Sequence, residues 1–224
     1  MRRAAALLLA SACVAGNGSA EPPPAEELVR DGAGPTIVRR GDLDGDGGVE
    51  LVVASASRDP GAFGLPTPYL EVFATVDGDW RRVFDASGNA PPGAGAPGSM
   101  LAPQDDEVAV GQAVEVLELA DLARDGTPEL VAAIANVGAT SGPLELWILS
   151  MGSDGSLRTE YYMRTERGGK VAVAEGRVLI EFGVYRKGDP GCCPSSFEVR
   201  TIGHDPERDA IRVLDRERTS LDPP

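Results

Sequence analysis

The chain has 224 residues, with 35 acidic side chains against 21 basic ones, one histidine and a formal net charge of −14. A surface this negative repels phosphate backbones and anionic bilayers, which argues against nucleic-acid binding and suits divalent cations. Hydrophobic residues make up 42%, enough for a packed core, and 28 glycines with 18 prolines fit many turns better than long helices.

Residues 1–20 read as a targeting segment. Met1-Arg2-Arg3 is a positive start, and Ala4–Gly16 is apolar but too short to span a bilayer. Two processing routes fit. Gly18-Ser19-Ala20 before Glu21 suits a signal peptidase. Leu9-Ala10-Ser11-Ala12-Cys13 resembles a bacterial lipobox, which would end the signal at residue 12 and make Cys13 the lipidated first residue. The lipobox route is preferred, and residues 21–35, rich in Gly, Pro and Ala, then read as a flexible tether. Either route exports the protein. Lipid at Cys13 would hold it to a membrane in the bacterial periplasm or at the cell surface; otherwise it is secreted.

Residues 36–220 read as one mainly β domain of three blade-like units, at about 36–85, 112–165 and 169–216. The first unit carries Asp42-Leu43-Asp44-Gly45-Asp46-Gly47-Gly48-Val49-Glu50, followed at once by Leu51-Val52-Val53-Ala54. Carboxylates stand at loop positions one, three, five and nine. Oxygen ligands at alternating positions let a short loop curl around a hard cation, and Ca²⁺ takes six to eight of them. Without a cation the same carboxylates repel one another. The EF-hand begins in the same way, with Gly47 at its sixth position. It needs a bidentate Glu at position twelve, where Val53 stands, and a departing helix, where Leu51–Ala54 reads as a buried strand. A solvated Asp/Gly turn is the plain alternative.

The loop resembles the Ca²⁺ loops of the FG-GAP and VCBS repeat families, in which such a motif leads straight into a strand of a β-propeller blade. That resemblance implies one Ca²⁺ held by the side chains of Asp42, Asp44, Asp46 and Glu50 and by the backbone carbonyl of Gly48. Glu50 stands where those families carry Asp. It also implies repeats that scaffold adhesion and protein- or carbohydrate-binding surfaces.

Asp121–Val131 aligns with the first loop, Asp121 and Asp42 standing 79 positions apart. Asp121, Asp125 and Glu129 match positions one, five and nine, but Ala123 removes the ligand at position three and Arg124 adds a positive charge. This copy is expected to keep the turn and lose the metal. Downstream, Leu70-Glu71-Val72-Phe73 aligns with Leu144-Glu145-Leu146-Trp147. Each leads to an Asp-Gly hairpin signal, Asp77-Gly78 and Asp154-Gly155, and then to a further strand, near Trp80–Phe84 and Leu157–Met163. A unit is thus a loop, a buried strand and a hairpin.

The third unit lacks the acidic loop; its strands are Lys170–Ala174, Arg177–Val184, Ser196–Ile202 and Ala210–Leu214. Three units are too few for an ordinary propeller of four to eight blades. Antiparallel blade-like sheets in an incomplete propeller or a three-sheet, prism-like arrangement are expected. Residues 86–107, with Pro91-Pro92-Gly93, read as a mobile loop between units.

Cys192 and Cys193 are adjacent. An exported chain meets oxidising conditions, so a vicinal disulfide is open. Their Cα atoms are about 3.8 Å apart across a trans peptide, closer than the roughly 4.4–6.8 Å of ordinary bridges, so such a bond would be strained and labile. Reduced or intermolecular thiols remain open too. The Gly188-Asp189-Pro190 to Cys192-Cys193-Pro194-Ser195 string resembles a C-terminal motif of exported bacterial lipoproteins of unassigned function.

His204 reads as a turn residue, and no Gly-x-Ser-x-Gly elbow, phosphate loop or dinucleotide fingerprint occurs. Trp80, Trp147 and Tyr161-Tyr162 read as core or hairpin pairs before a ligand face. These signs favour a non-catalytic, Ca²⁺-stabilised interaction or structural module with a protein or carbohydrate partner. A hydrolase with an unrecognised carboxylate pair and a redox sensor built on the vicinal cysteines remain the alternatives.

Overall fold

The structure, a computed structural model, describes residues 22–60, 66–86, 111–137, 142–190 and 193–220. It is mainly β, with one short helix, α1 (Ala25–Leu28), and three four-stranded antiparallel sheets. The first sheet runs in chain order through β1 (Ala33–Gly41), β2 (Glu50–Pro60), β3 (Pro66–Val76) and β4 (Asp79–Asp85). The second holds β5 (Gly111–Ala120), β6 (Glu129–Val137), β7 (Leu144–Met151) and β8 (Leu157–Arg164). The third holds β9 (Lys170–Ala174), β10 (Arg177–Val184), β11 (Ser196–Asp205) and β12 (Ala210–Ser220). Each is a meander of blade-like form, as expected.

The first strand of the first two sheets was not foreseen. Thr36–Gly41 and Gly111–Ala120 mix charged with apolar residues and lack the run of Val, Ile and Leu that marks a buried strand. Pairing with β2 and β6 decides them. Both ladders carry a one-residue bulge at the same place, at Thr36 facing Ala54 and at Glu115 facing Ala133.

The period of two along each strand explains how the sheets stack. Along β6, Leu130, Ala132 and Ile134 enter one apolar cluster with Val52, Ala54, Leu70 and Val72 of the first sheet. Val131, Ala133 and Ala135 point the other way and pack with Val178, Ile180 and Ile202 of the third. The second sheet is therefore the middle layer, buried on both faces, which is why β6 and β7 are nearly unbroken apolar runs. Val52 and Val131 hold the same place after their loops, and each faces the following sheet. The sheets thus stack head to tail, each turning the same face forward.

Ladder pairing also corrects the alignment of the hairpins. Val72 precedes the bulge of its ladder with β4, and Ile148 precedes the corresponding bulge with β8. Leu70–Phe73 therefore corresponds to Leu146–Leu149, two residues later than the sequence match suggests. Asp77-Gly78 is the expected two-residue turn, with φ of 55° and 85°. Asp154-Gly155 instead lies inside a longer connection, closed by the Gly152 N–H donating to Ser156 O. In the third sheet Glu175-Gly176 makes the tight turn between β9 and β10, where the first two sheets carry their acidic loops.

Residues 21–35 are not a flexible tether in their described part. Ala25, Leu28 and Val29 pack on Leu51, Val53 and Phe73, the face of the first sheet turned away from the second. The Arg30 guanidinium donates to the fully buried Glu71 at 3.1 Å and pairs with Asp85, and Arg82 reaches Glu71 at 2.7 Å. A composition rich in Pro and Ala hid this, because the few apolar side chains that cover the sheet are not adjacent in sequence. The loop expected at 86–107 lies outside the described residues apart from Ala86.

Truncation in the doubly buried sheet should be costly. Ile148→Ala is expected to lower unfolding stability by about 2–4 kcal/mol, against less than about 1 kcal/mol for Val76→Ala at a half-exposed site. Urea denaturation of the two variants checks this, and similar midpoints would contradict the three-layer packing.

Candidate metal centre

Two loops, one after β1 and one after β5, sit at the same end of neighbouring sheets. Their backbones match. Gly45 and Arg124, both fourth in the loop, have φ of 75° and 62°; Gly47 and Gly126, both sixth, have 85° and 96°. Glycine takes these angles freely, whereas Arg124 adopts one at a steric cost.

What shapes each loop is the residue at position nine. The Glu50 side chain turns inward, and its Oε2 accepts the Leu43 N–H at 2.7 Å. Glu129 Oε2 accepts the Leu122 N–H at the same distance. Leu43 and Leu122, second in each loop, are buried in the apolar layers ahead of their sheets. A buried leucine and a buried carboxylate thus fix the loop at both ends. Sequence reasoning assigned Glu50 as a ligand alone and gave Leu43 and Leu122 no role; the repeated Asp-Leu at the start of both loops was the available signal.

The loops also touch. A Cβ added to Gly45 would lie 3.1 Å from Thr127 Oγ1 of the second loop, and one added to Gly41 would lie 2.8 Å from Leu119 Cδ1. A side chain at Gly41 would require the Leu119 side chain to move. Nearby, Arg39 of β1 makes a two-pronged ion pair with Glu118 of β5, at 3.0 and 2.7 Å. Hydrogen bonding to each other raises the Arg39 pKa and lowers that of Glu118. Both are partly exposed, so the pair contributes about 1 kcal/mol at most.

Within the first loop the carboxylates serve the backbone. Asp42 Oδ1 accepts the Gly45 N–H at 2.8 Å and Oδ2 the Gly47 N–H at 2.9 Å. Asp44 Oδ1 accepts from Asp46 N at 3.1 Å, and Asp46 Oδ1 from Gly48 N at 2.6 Å. One oxygen from each of Asp42, Asp44 and Glu50 lies within 4.8 Å of the others. Asp46 stands beside Asp44 but outside that trio, and Gly48 is engaged through its N–H. A Cβ on Gly48 would sit 2.7 Å from Asp46 Oδ1, so a side chain there would displace the Asp46 carboxylate.

Burial, and then the charges of Asp46 and Asp42, push the Asp44 carboxyl above the usual range. Burial likewise raises Glu50, aided by Asp44, Asp46 and Asp42, and opposed by the Leu43 N–H. An all-oxygen donor set of carboxylates could hold a hard cation, whose charge would offset their mutual repulsion. In the second loop, Asp121 accepts from Asp125 N and Gly126 N, and Ala123 offers no third oxygen. Burial still raises Glu129, which isolates the structural part of the position-nine carboxylate from any metal role.

Other expected residues lie elsewhere. Cys193 is exposed in a loop whose two ends are joined by Asp189, which accepts from Arg186 N at 2.7 Å and Ser195 N at 3.0 Å. Cys192 lies outside the described residues, as does Cys13, so neither the bridge nor the lipidation is described. His204 is on β11 rather than in a turn, paired with Ile211, and its Nε2 is 3.1 Å from Asp209 Oδ1. Trp147 is buried in the layer between the first two sheets, its ring 4.1 Å from that of Tyr162. No protein-family model matches the chain, and no curated protein matches it at a significant level.

Stability should respond to pH accordingly. Asp44, Glu50 and Glu129 hold protons more tightly folded than unfolded, so in chelator stability should rise as pH falls from 7 through their raised pKa values. The rise ends near the ordinary carboxylate range of about 4–4.5. Groups with lowered values oppose it at lower pH. Glu118 beside Arg39 and Asp205 beside Arg208 lose their stabilising effect as pH falls through those values. Urea midpoints in chelator should therefore peak on the acid side of neutrality, and Glu50→Gln should flatten the slope between pH 7 and 5. A midpoint that falls steadily over that interval would contradict the desolvation argument.

Proposed function

We propose that this is an exported, lipid-anchored, non-catalytic β-repeat protein, similar in kind to FG-GAP and VCBS modules, whose first loop binds one Ca²⁺. The observation that carries the reading is the convergence of Asp42, Asp44 and Glu50, with two of the three carboxyls raised by burial and mutual repulsion. Asp46 and the Gly48 carbonyl complete the proposed ligand set. The cation offsets the repulsion and locks the edge where the first loop meets the second. The carboxylates already hold the loop backbone through hydrogen bonds, which suits a structural ion. The module would then present a protein- or carbohydrate-binding surface outside the cytoplasm.

A groove lies beside the second loop. It is lined by Arg124, Arg177 and His204 among others. The carboxylate among its described lining residues, Asp205, is held ionised by hydrogen bonding to Arg208, with Arg212 also beside it.

Thermal unfolding with Ca²⁺ and with excess chelator tests the reading. For an extracellular-type site binding at about 10⁻⁴ M, millimolar Ca²⁺ should add about 1.4 kcal/mol. Asp44→Ala should abolish the response without unfolding the protein, because it removes a repelling carboxylate. Asp125→Ala in the second loop should leave the response intact. Identical wild-type curves in Ca²⁺ and chelator would reduce the acidic loop to a turn.

A further inference from the structure

The groove beside the second loop has a volume of about 510 Å³, within the range of small-molecule sites. Three elements build it. Arg124 comes from the loop after β5, Arg177 from the start of β10, and His204 and Asp205 from the end of β11. Gly203 also lines it, and a Cβ added there would lie 3.1 Å from Leu214 Cδ1 and 3.6 Å from Arg177 Cγ. Glycine inside the strand thus lets Leu214 and the Arg177 stem close over the backbone. Leu214, 41% exposed, and Pro206 give the groove an aliphatic side.

The protein carries a net charge of −14, yet two arginines face this groove. Neither Arg124 nor Arg177 makes an ion pair among the described residues. The carboxylates around them are engaged elsewhere. Asp121 and Asp125 accept backbone N–H groups of their own loop. Asp205 is held by Arg208 at 3.0 Å and Arg212 at 3.1 Å, and Asp209 lies 3.1 Å from His204. Arg124 also holds φ of 62° where the first loop has Gly45. An arginine kept at a costly angle, without pairing with its own loop's carboxylates, points to a task in the groove.

We propose that the groove binds a carboxylate flanked by aliphatic carbons, its oxygens taken by Arg124 and Arg177 and its carbons set against Leu214 and Pro206. Guanidinium forks match the two oxygens of a carboxylate. A single negative charge is favoured over a polyanion, because every further charge meets the field of the −14 surface. Asp205, which also lines the groove, adds to that discrimination. The site is separate from the acidic loop and does not rest on the Ca²⁺ reading.

Titration of the full chain with 4-methylpentanoate, followed by amide NMR shifts, tests the site. The expected result is saturable shifts at Arg124, Gly176 and Gly203, with a dissociation constant in the millimolar range that is unchanged in chelator. Arg177→Gln and Arg124→Gly should each weaken binding about tenfold. Arg124→Gly should do so while holding or raising the melting temperature, since glycine takes that angle freely. Arg81→Gln on β4, which removes the same charge from the first sheet, should leave binding intact. Inorganic phosphate, which has no carbons, and glucuronate, whose carbons are hydroxylated, should bind several-fold more weakly. Absence of saturable shifts, or equal weakening by Arg81→Gln, overturns the site. Phosphate binding as tightly as the acid reduces it to adventitious anion binding, and glucuronate binding as tightly overturns the aliphatic contact.

Discussion

Leu130, Ala132 and Ile134 point to one side of β6, Val131 and Ala133 to the other, and both sides are dry. This two-faced burial is the constraint from which the rest of the structure follows. A sheet apolar on both faces needs a layer above and a layer below, and this chain supplies them from the segments before and after it. The outer sheets need bury only one face against it. What they do with the other face differs: the first is roofed by α1 and an arginine–carboxylate cluster, while the third ends in exposed Leu179 and Phe197 among charges. Such asymmetry gives the stack a direction.

Direction in turn places the loops. Because each sheet turns the same face forward, equivalent connections line up along one edge: the acidic loop, its degenerate partner, and the Glu175-Gly176 turn. Gly176 would bring a Cβ within 3.3 Å of Asp121 O, just as Gly45 approaches Thr127. A cation in the first loop would therefore act on the contact between two sheets as well as on one turn. Arg39 and Glu118, at equivalent places on β1 and β5, couple the same pair of sheets electrostatically.

The position-nine glutamate shows how one residue type serves two ends. In both loops it is buried and receives the N–H of a buried leucine, so its first task is to hold the turn. Only in the first loop do two further carboxylates converge on it. The metal chemistry proposed there is an addition to a scaffold that the second loop keeps without it. Glutamate suits the double duty because its extra methylene lets the carboxyl reach back to position two.

The sequence by itself determined the class of fold, most strands of the three sheets, the acidic loop with its degenerate copy, and the strand rather than helix that leaves it. Each of these rests on local information: an apolar run, an Asp-Gly turn, carboxylates at alternating positions. Tertiary structure alone decided β1 and β5, whose mixed composition becomes strand only by pairing with β2 and β6, and the ordering of residues 22–30, whose apolar side chains have meaning only against Leu51 and Phe73. It also shifted the hairpin correspondence by two residues, since a bulge is a property of a ladder and leaves no mark in either strand. Which oxygens of Asp42, Asp44, Asp46 and Glu50 converge, and which are spent on backbone N–H groups, was likewise decided by the fold. A side chain's direction depends on where the buried leucine and the neighbouring sheet hold the loop, and neither can be read from spacing alone.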